Sequence, residues 1–274
     1  MSQARVAGLE AGSIRELNGL PAPIREALYL RLVPPEVLER LGADPRTGRS
    51  AAGEPLVQVV APSGLTWARV EVRASRHDRD PLLLVDVDTT PFGVPQLSFV
   101  QITDPAGDRF GIDRDEDGQD TLFGTGSRNL AEEARALAAG LAPGQVRRGL
   151  RLLGRVMAMM EAFCRLLGNE LFLVEPLFYH SALLYERHGC AYLVGRELME
   201  EIHAGFQPGG RLHAALDGST PFRQPGFDQT VRGRSWAIHD GILDVLGAGS
   251  WGGLKMYRLA GRPAGVSTFA GGRY

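Results

Sequence analysis

Near Glu54 the hydrophobic pattern of this chain takes a period of two, and near Val146 it changes to the period of a helix. That change constrains the fold more than any other feature. Side chains alternate across a strand but recur every 3.6 residues around a helix. The runs LVQVVA, LTWARVEVRA, LLLVDVDT and LSFVQIT are rich in Val, Leu, Thr and aromatic residues, as strands are. Pro62-Ser63-Gly64 and Asp104-Pro105-Ala106-Gly107-Asp108 supply turn chemistry. The pattern predicts an antiparallel meander from about residue 54 to 112.

A long helix is predicted from about Gln145 to Leu167. Val146, Leu150, Leu153, Met157, Met160, Cys164 and Leu167 fall on one face, and Leu152, Val156, Met159, Phe163 and Leu166 widen it. A helix so broadly apolar packs against a sheet. Leu171–Val174 reads as an interior strand, and Cys190–Val194 as its neighbour in the same sheet. Between them Ser181 is expected to cap a helix that stops at Gly189, and Glu197–Phe206 is a further helix. Upstream, residues 12–42 read as helical, with Ser13 as an N-cap, Pro35 at a helix start and Gly42 at its end. Ser127 is expected to cap NLAEEARALAAGL. Residues 207–253 are rich in Gly and Pro and read as loop, before a final strand LKMYRL. The expected organisation is a helical extension over 1–53, a core over 54–206, and a loop-rich segment over 207–274 that returns the last strand.

The composition, 44% hydrophobic and 23% charged, is that of a globular chain. A net charge of -2 gives no global field toward nucleic acid or an anionic membrane. No apolar run is long enough to span a bilayer, and MSQARVAGLEAGSIRE has no apolar signal core. Cys164 and Cys190, the only cysteines, lie in apolar settings and read as buried thiols of a cytoplasmic protein. Lys255 is the only lysine. Arginine in such excess reads either as the usage of a GC-rich bacterial genome or as anion recognition. The expected partner is a small-molecule substrate, with no nucleic acid and no membrane; the oligomeric state is not set by the sequence.

Two stretches carry a family resemblance. Residues 144–156, GQVRRGLRLLGRV, contain Arg147, Arg148, Gly149, Arg151, Gly154 and Arg155. Residues 181–190 read SALLYERHGC. In the order strands, helix, strand, helix, strand, the chain resembles the GNAT superfamily of acyltransferases. The first stretch is similar to that family's Q/R-x-x-G-x-G/A motif: read from Arg151, Gly154 is in place and Val156 stands at the Gly or Ala position. The second is similar to A-x-x-LYE-x-x-GF, with Cys190 replacing the aromatic residue. The resemblance implies an α/β fold with a GNAT-like central mixed, mostly antiparallel sheet flanked by helices. It also implies acyl-CoA-dependent N-acyl transfer from acetyl-CoA or another acyl-CoA to an amine. Arg147, Arg148, Gly149, Arg151, Gly154 and Arg155 would then bind the pyrophosphate beside a helix N-terminus. Tyr185 would protonate the leaving thiolate, and Glu175 or His180 would take the amine proton. Two alternatives stand beside this: a core role for Tyr185, and a binding or regulatory module of the same fold that has lost coenzyme A binding.

Three further constellations stand out. Asp113, Asp115, Asp117 and Asp120, with Gly118, follow the first half of a calcium loop or form an acidic hairpin end. Asp86 and Asp88 share one strand face as an acid/base or metal pair, or as the polar side of a half-buried strand. Arg223, Arg232, Arg234, Trp236 and His239 lie in the Gly-rich segment as candidate ligand-binding residues or as loop anchors.

Overall fold

The structure, a computed structural model, describes residues 4–6 and 9–274. The N-terminal stretch expected to lack a signal core lies partly outside them. Strands β1 (Ala4–Val6) and β2 (Leu9–Ala11) pair antiparallel. Helices α1 (Ile14–Asn18), α2 (Ala22–Tyr29) and α3 (Pro35–Arg40) follow. Ser13 caps α1, its Oγ accepting the Glu16 N–H at 3.3 Å. Pro35 occupies the first turn of α3, where a missing N–H costs no helical bond. Gly42, just past α3, has φ +60°. Buried Asn18 donates through Nδ2 to the carbonyls of Leu65 and Trp67, each at 2.9 Å, and accepts from Tyr29 Oη at 2.5 Å. These bonds fix the chain where it enters the sheet.

The predicted meander is β3 (Val57–Val60), β4 (Trp67–Val72), β5 (Leu83–Thr89) and β6 (Pro95–Ile102), paired antiparallel throughout. Ala68, Val70, Val72, Leu83, Val85, Val87 and Leu97 turn into the core. Each fully buried Val or Leu contributes about 1.5–3 kcal/mol, so a one-residue slip would forfeit several such terms at once. β7 (Leu171–Val174), β8 (Ala191–Val194) and β9 (Lys255–Leu259) complete a seven-stranded, mostly antiparallel open sheet in the order β3-β4-β5-β6-β7-β9-β8. Helix α5 (Leu153–Leu166) packs on β6 and β7 and buries Val156, Met157, Met160, Phe163 and Cys164. Cys164 and Cys190 are buried and join no disulfide among the described residues.

The remaining helices are α4 (Leu130–Ala138), α6 (Tyr179–Arg187), α7 (Arg196–Gly205), α8 (Arg211–Ala214) and α9 (Val231–His239). Several expectations are corrected. The meander stops at Ile102, and Phe110 instead enters a cluster with Leu141, Val146 and Trp236. Helix α5 starts at Leu153, not Gln145. Arg151 has φ +59°, a left-handed conformation that no α-helix can run through. Asn129, not Ser127, caps α4, its side chain accepting the Glu132 N–H at 3.2 Å. Ser181 lies inside α6. β9 stands between β7 and β8, so those two strands share a sheet without being neighbours. The Gly-rich segment holds α8 and α9, because Thr230 caps α9 through a 2.9 Å bond from the Gly233 N–H.

Two compact units are present. One comprises residues 1–106, 149–175 and 257–263; the other comprises 107–148, 176–256 and 264–274. Among the described residues no helix is long and apolar enough to cross a membrane.

Candidate functional site

In the first unit the sheet opens at its middle. β6 and β7 run parallel and are in register at only two pairs, Gln96↔Leu173 and Leu97↔Val174. β6 carries a bulge here: Asp86 pairs with Phe99 and Val87 with Leu97, so Ser98 is left over. Beyond Leu97, β6 continues to Ile102 in pairing with β5, and among the described residues its register with β7 ends at Leu97. Backbone groups where a strand pairing ends can pair with an extended ligand. Gly149 passes the far end of β6; a Cβ there would lie 3.2 Å from the Ile102 carbonyl oxygen. The chain then enters α5, a 14-residue helix with no side-chain cap on its first turn. Uncapped N–H groups and the helix dipole favour an anion at that end.

Of the residues expected to bind a pyrophosphate, Gly149, Arg151, Gly154 and Arg155 lie in this unit. Arg151 is exposed and makes no ion pair among the described residues. Gly154 lies in the first turn of α5. Arg155 is held by Glu36 at 2.5 Å. Arg147 and Arg148 belong to the second unit, where they donate to the carbonyls of Gly107 and Ala139. Arg147, Arg148 and Arg155 thus each have a protein partner.

On the half-exposed face of the sheet, backbone register aligns side chains into rows. Arg69 is opposite Asp86, and its Nε and Nη2 donate to the two carboxylate oxygens at 2.7 Å each. One row along, Trp67 is opposite Asp88, Asp88 opposite Gln96, and Gln96 opposite Leu173. Burial, then the neighbouring carboxylates of Glu175 and Asp86, lift the Asp88 carboxyl above its usual range, and the Ser98 hydroxyl pulls it back only in part. Glu175, expected as a base, is near enough for its charge to act on Asp88.

The second unit contains a denser polar cluster, built on α9. Trp236 is fully buried, and its Nε1 donates to the Leu141 carbonyl at 2.8 Å. Buried Arg234 donates to the Asp228 carbonyl at 2.6 Å and lies 3.6 Å over the Phe269 ring. His239 Nε2 is 3.0 Å from Glu133 Oε1. Glu133 Oε2 accepts from Arg128 Nε at 2.8 Å. Arg128 Nη1 reaches Asp240 Oδ1 at 2.9 Å, while Asp240 Oδ2 accepts from Arg223 Nε and Thr220 Oγ1 at 2.8 Å each. Burial raises the Glu133 carboxyl, but hydrogen bonds from His239 and Arg128 overcome this and hold it below the usual range. Gly124, at φ +85°, backs onto the cluster; a Cβ there would meet Glu133 Oε1 at 2.8 Å. Two guanidinium groups and two carboxylates answer each other in full, which suits a clamp better than a ligand site. Arg223, Arg234, Trp236 and His239 are each held by protein partners. Arg232 stacks over Tyr274 at 5.4 Å.

His180, expected as a base, is buried with Nδ1 at 2.9 Å from Ser235 Oγ. Burial, then the His239 and Arg232 charges, hold its imidazole down to about 3. Tyr185 is also buried, and burial pushes its hydroxyl far above the usual phenol range, reinforced by Cys190. The four aspartates of the acidic loop have partners as follows. Asp113 pairs with Arg109 at 2.7 Å. Asp115 accepts the N–H groups of Asp117 and Gln119, and Asp120 that of Leu122, so these two shape turns. Asp117 is exposed. Among the described residues no group of three or more His, Cys, Asp or Glu is placed to hold a metal ion.

The sequence does not single out Arg128, Glu133 or Ser235. For Glu133 a signal exists: it lies three residues before Ala136, on the buried face of α4. Comparison with protein-family models, with curated proteins and with solved structures finds no match to this chain.

Proposed function

We propose that the chain is a divergent GNAT-like acyltransferase that binds an acyl-CoA at the opening between β6 and β7 and passes the acyl group to an amine. The observation that carries this reading is the parallel β6/β7 pair, in register at two residue pairs, with the uncapped start of α5 brought beside the Ile102 end of β6 by Gly149. An extended amide-bearing ligand can add to the Ser98–Ile102 edge as a strand does. Its phosphates would meet the α5 N–H groups and Arg151. Arg147, Arg148 and Arg155 have other partners and take no part. Sealed Tyr185 does not suit the role of acid, and the leaving thiolate is protonated from elsewhere.

The test is thermal melting with acetyl-CoA. A ligand bound only by the folded state at a hundred times its Kd adds about 2.7 kcal/mol, so the melting temperature rises by several degrees. Arg151→Glu lowers that rise. No rise at millimolar acetyl-CoA removes the reading. The second reading, a non-catalytic binding or regulatory module without coenzyme A, is favoured by buried Tyr185 and by the engaged Arg147, Arg148 and Arg155. It would then stand alone.

A further inference from the structure

In the second unit residues 264–274 form a strap with no helix or strand of its own, and none of its residues is buried. Yet the strap covers two buried charges, Glu186 at 5% and Arg234 at 2% exposed. Glu186 accepts the Thr268 N–H at 2.9 Å and the Thr268 hydroxyl at 2.6 Å, and the Tyr192 hydroxyl at 2.6 Å. The Arg234 guanidinium lies 3.6 Å from the centre of the Phe269 ring and 5.0 Å from that of Phe206. Its Nη1 is 3.2 Å from His203 Nδ1, and the His203 ring is 5.6 Å from the Phe269 ring. Neither Glu186 nor Arg234 makes an ion pair among the described residues. In the cluster around His239, by contrast, Glu133 and Asp240 each meet a guanidinium. A buried charge without an opposite charge must be met by hydrogen bonds or by a ring face. Here Thr268 supplies the first and Phe269 the second. They are consecutive, with Cα atoms about 3.8 Å apart, so one dipeptide step answers both charges.

Elsewhere the strap is held through its backbone. The Ala264 N–H donates to the Gly189 carbonyl at 3.1 Å, the Gly272 carbonyl accepts from Arg187 at 2.6 Å, and the Arg273 carbonyl accepts the Val231 N–H at 2.8 Å. Any sequence can make such bonds. This is the division of labour of a bound peptide, in which main-chain bonds give affinity and side-chain positions give specificity. A segment with few buried contacts also opens at low free energy. We propose that the surface of α6, α7 and α9 beneath the strap is a recognition site for a partner peptide in which a hydroxyl residue precedes an aromatic one, with residues 264–274 as its displaceable occupant. Glu186 selects the N–H and hydroxyl donors, and Arg234 with His203 and Phe206 selects the ring. An acidic or phosphorylated residue in the hydroxyl position is rejected, because Glu186 has no cation to share with it. The site lies in the second unit and does not depend on the acyl-transfer reading.

The test uses the full chain and a fluorescent, end-blocked peptide Gly-Ser-Thr-Phe-Gly, read by anisotropy. Two control peptides carry Ala in place of Thr or of Phe. The strap competes at a high effective concentration because it is tethered, so the wild type binds the peptide weakly. Phe269→Ala, at a half-buried position in an irregular segment, weakens the tethered occupant and is expected to tighten peptide binding about tenfold. Thr268→Ala is expected to do the same and carries the test if Phe269→Ala does not fold. In either background Glu186→Gln lowers the affinity about tenfold and removes the preference for Thr over Ala. No binding to either vacated variant overturns the proposal, as does equal binding of the control peptides. Sedimentation identifies the occupant: self-association of the wild type that disappears in Phe269→Ala would make it the strap of a second copy and overturn the partner peptide, and a monomer at all concentrations supports it.

Discussion

The cluster around α9 and the Asp88 row are both rich in charge, yet only one of them is closed. In the second unit Arg128, Arg223, Glu133 and Asp240 pair among themselves, with His239 and Thr220 filling further bonds. In the first unit Asp86 is satisfied by Arg69, while Asp88 lies opposite Trp67 and Gln96 in the strand register. A closed network of buried charges fixes how chain segments meet and resists loss of any member. An open row has recognition capacity left over. Density of charged residues is therefore a poor guide to a site; unbalanced charge beside an opening in the backbone pairing is a better one.

The largest effect expected of this contrast comes from Glu133→Gln. Glu133 is 1% exposed, and its loss leaves Arg128 and His239 without their shared carboxylate. Breaking a buried pair in this way costs about 3–5 kcal/mol, read as a lower urea midpoint. If stability drops by less than about 1 kcal/mol, the cluster is not the clamp described here.

Next in size is the response to acid. The His180 imidazole is held down to about 3 by burial first, then by His239 and Arg232. A base whose folded pKa is lowered is protonated first in the unfolded state. Its neutral form supports the fold above the ordinary value of about 6.5. That support is lost as pH falls from there toward 3, by up to about 1.4 kcal/mol per pH unit. His180→Gln is expected to flatten this part of the pH–stability curve, and an unchanged slope would show that His180 is not what acid attacks.

The smallest effect is the sharpest contrast with Glu133. The Asp88 carboxyl is raised by burial and by Glu175, so the charged form weighs against the fold. The pKa-raised acid favours its protonated form in the folded state, and stability falls as pH rises through that range. Asp88→Asn should therefore leave stability at pH 7 unchanged or slightly higher, within about 0.5 kcal/mol, by urea denaturation. A loss comparable to that of Glu133→Gln would mean that Asp88 belongs to a closed network too.

Much of the backbone was legible from residues alone. The period of two between Glu54 and Ile102 marked β3 to β6, and LKMYRL announced β9. Ser13, Pro35 and Gly42 marked helix ends through local bonds and local φ. Each of these signals acts within a few residues, which is why the sequence carries it. The misses share a different cause. The apolar spacing of Val146 and Leu150 continued a helix that Arg151 interrupts, and Val146 was instead drawn into the cluster with Trp236. The Gly233 that made 231–239 look like loop is a place of close approach, where a Cβ would lie 2.6 Å from the Phe227 carbonyl oxygen.

The sequence by itself determined β3 to β6, β9 and the helix ends at Ser13, Pro35 and Gly42, because period and capping are properties of neighbouring residues. Tertiary structure alone decided which charges meet. Glu133 finds His239 at a separation of 106 residues, and strand register gives Arg69 to Asp86 while leaving Trp67 to Asp88. A one-residue change of register would reassign every one of those cross-strand partners without altering a single local preference.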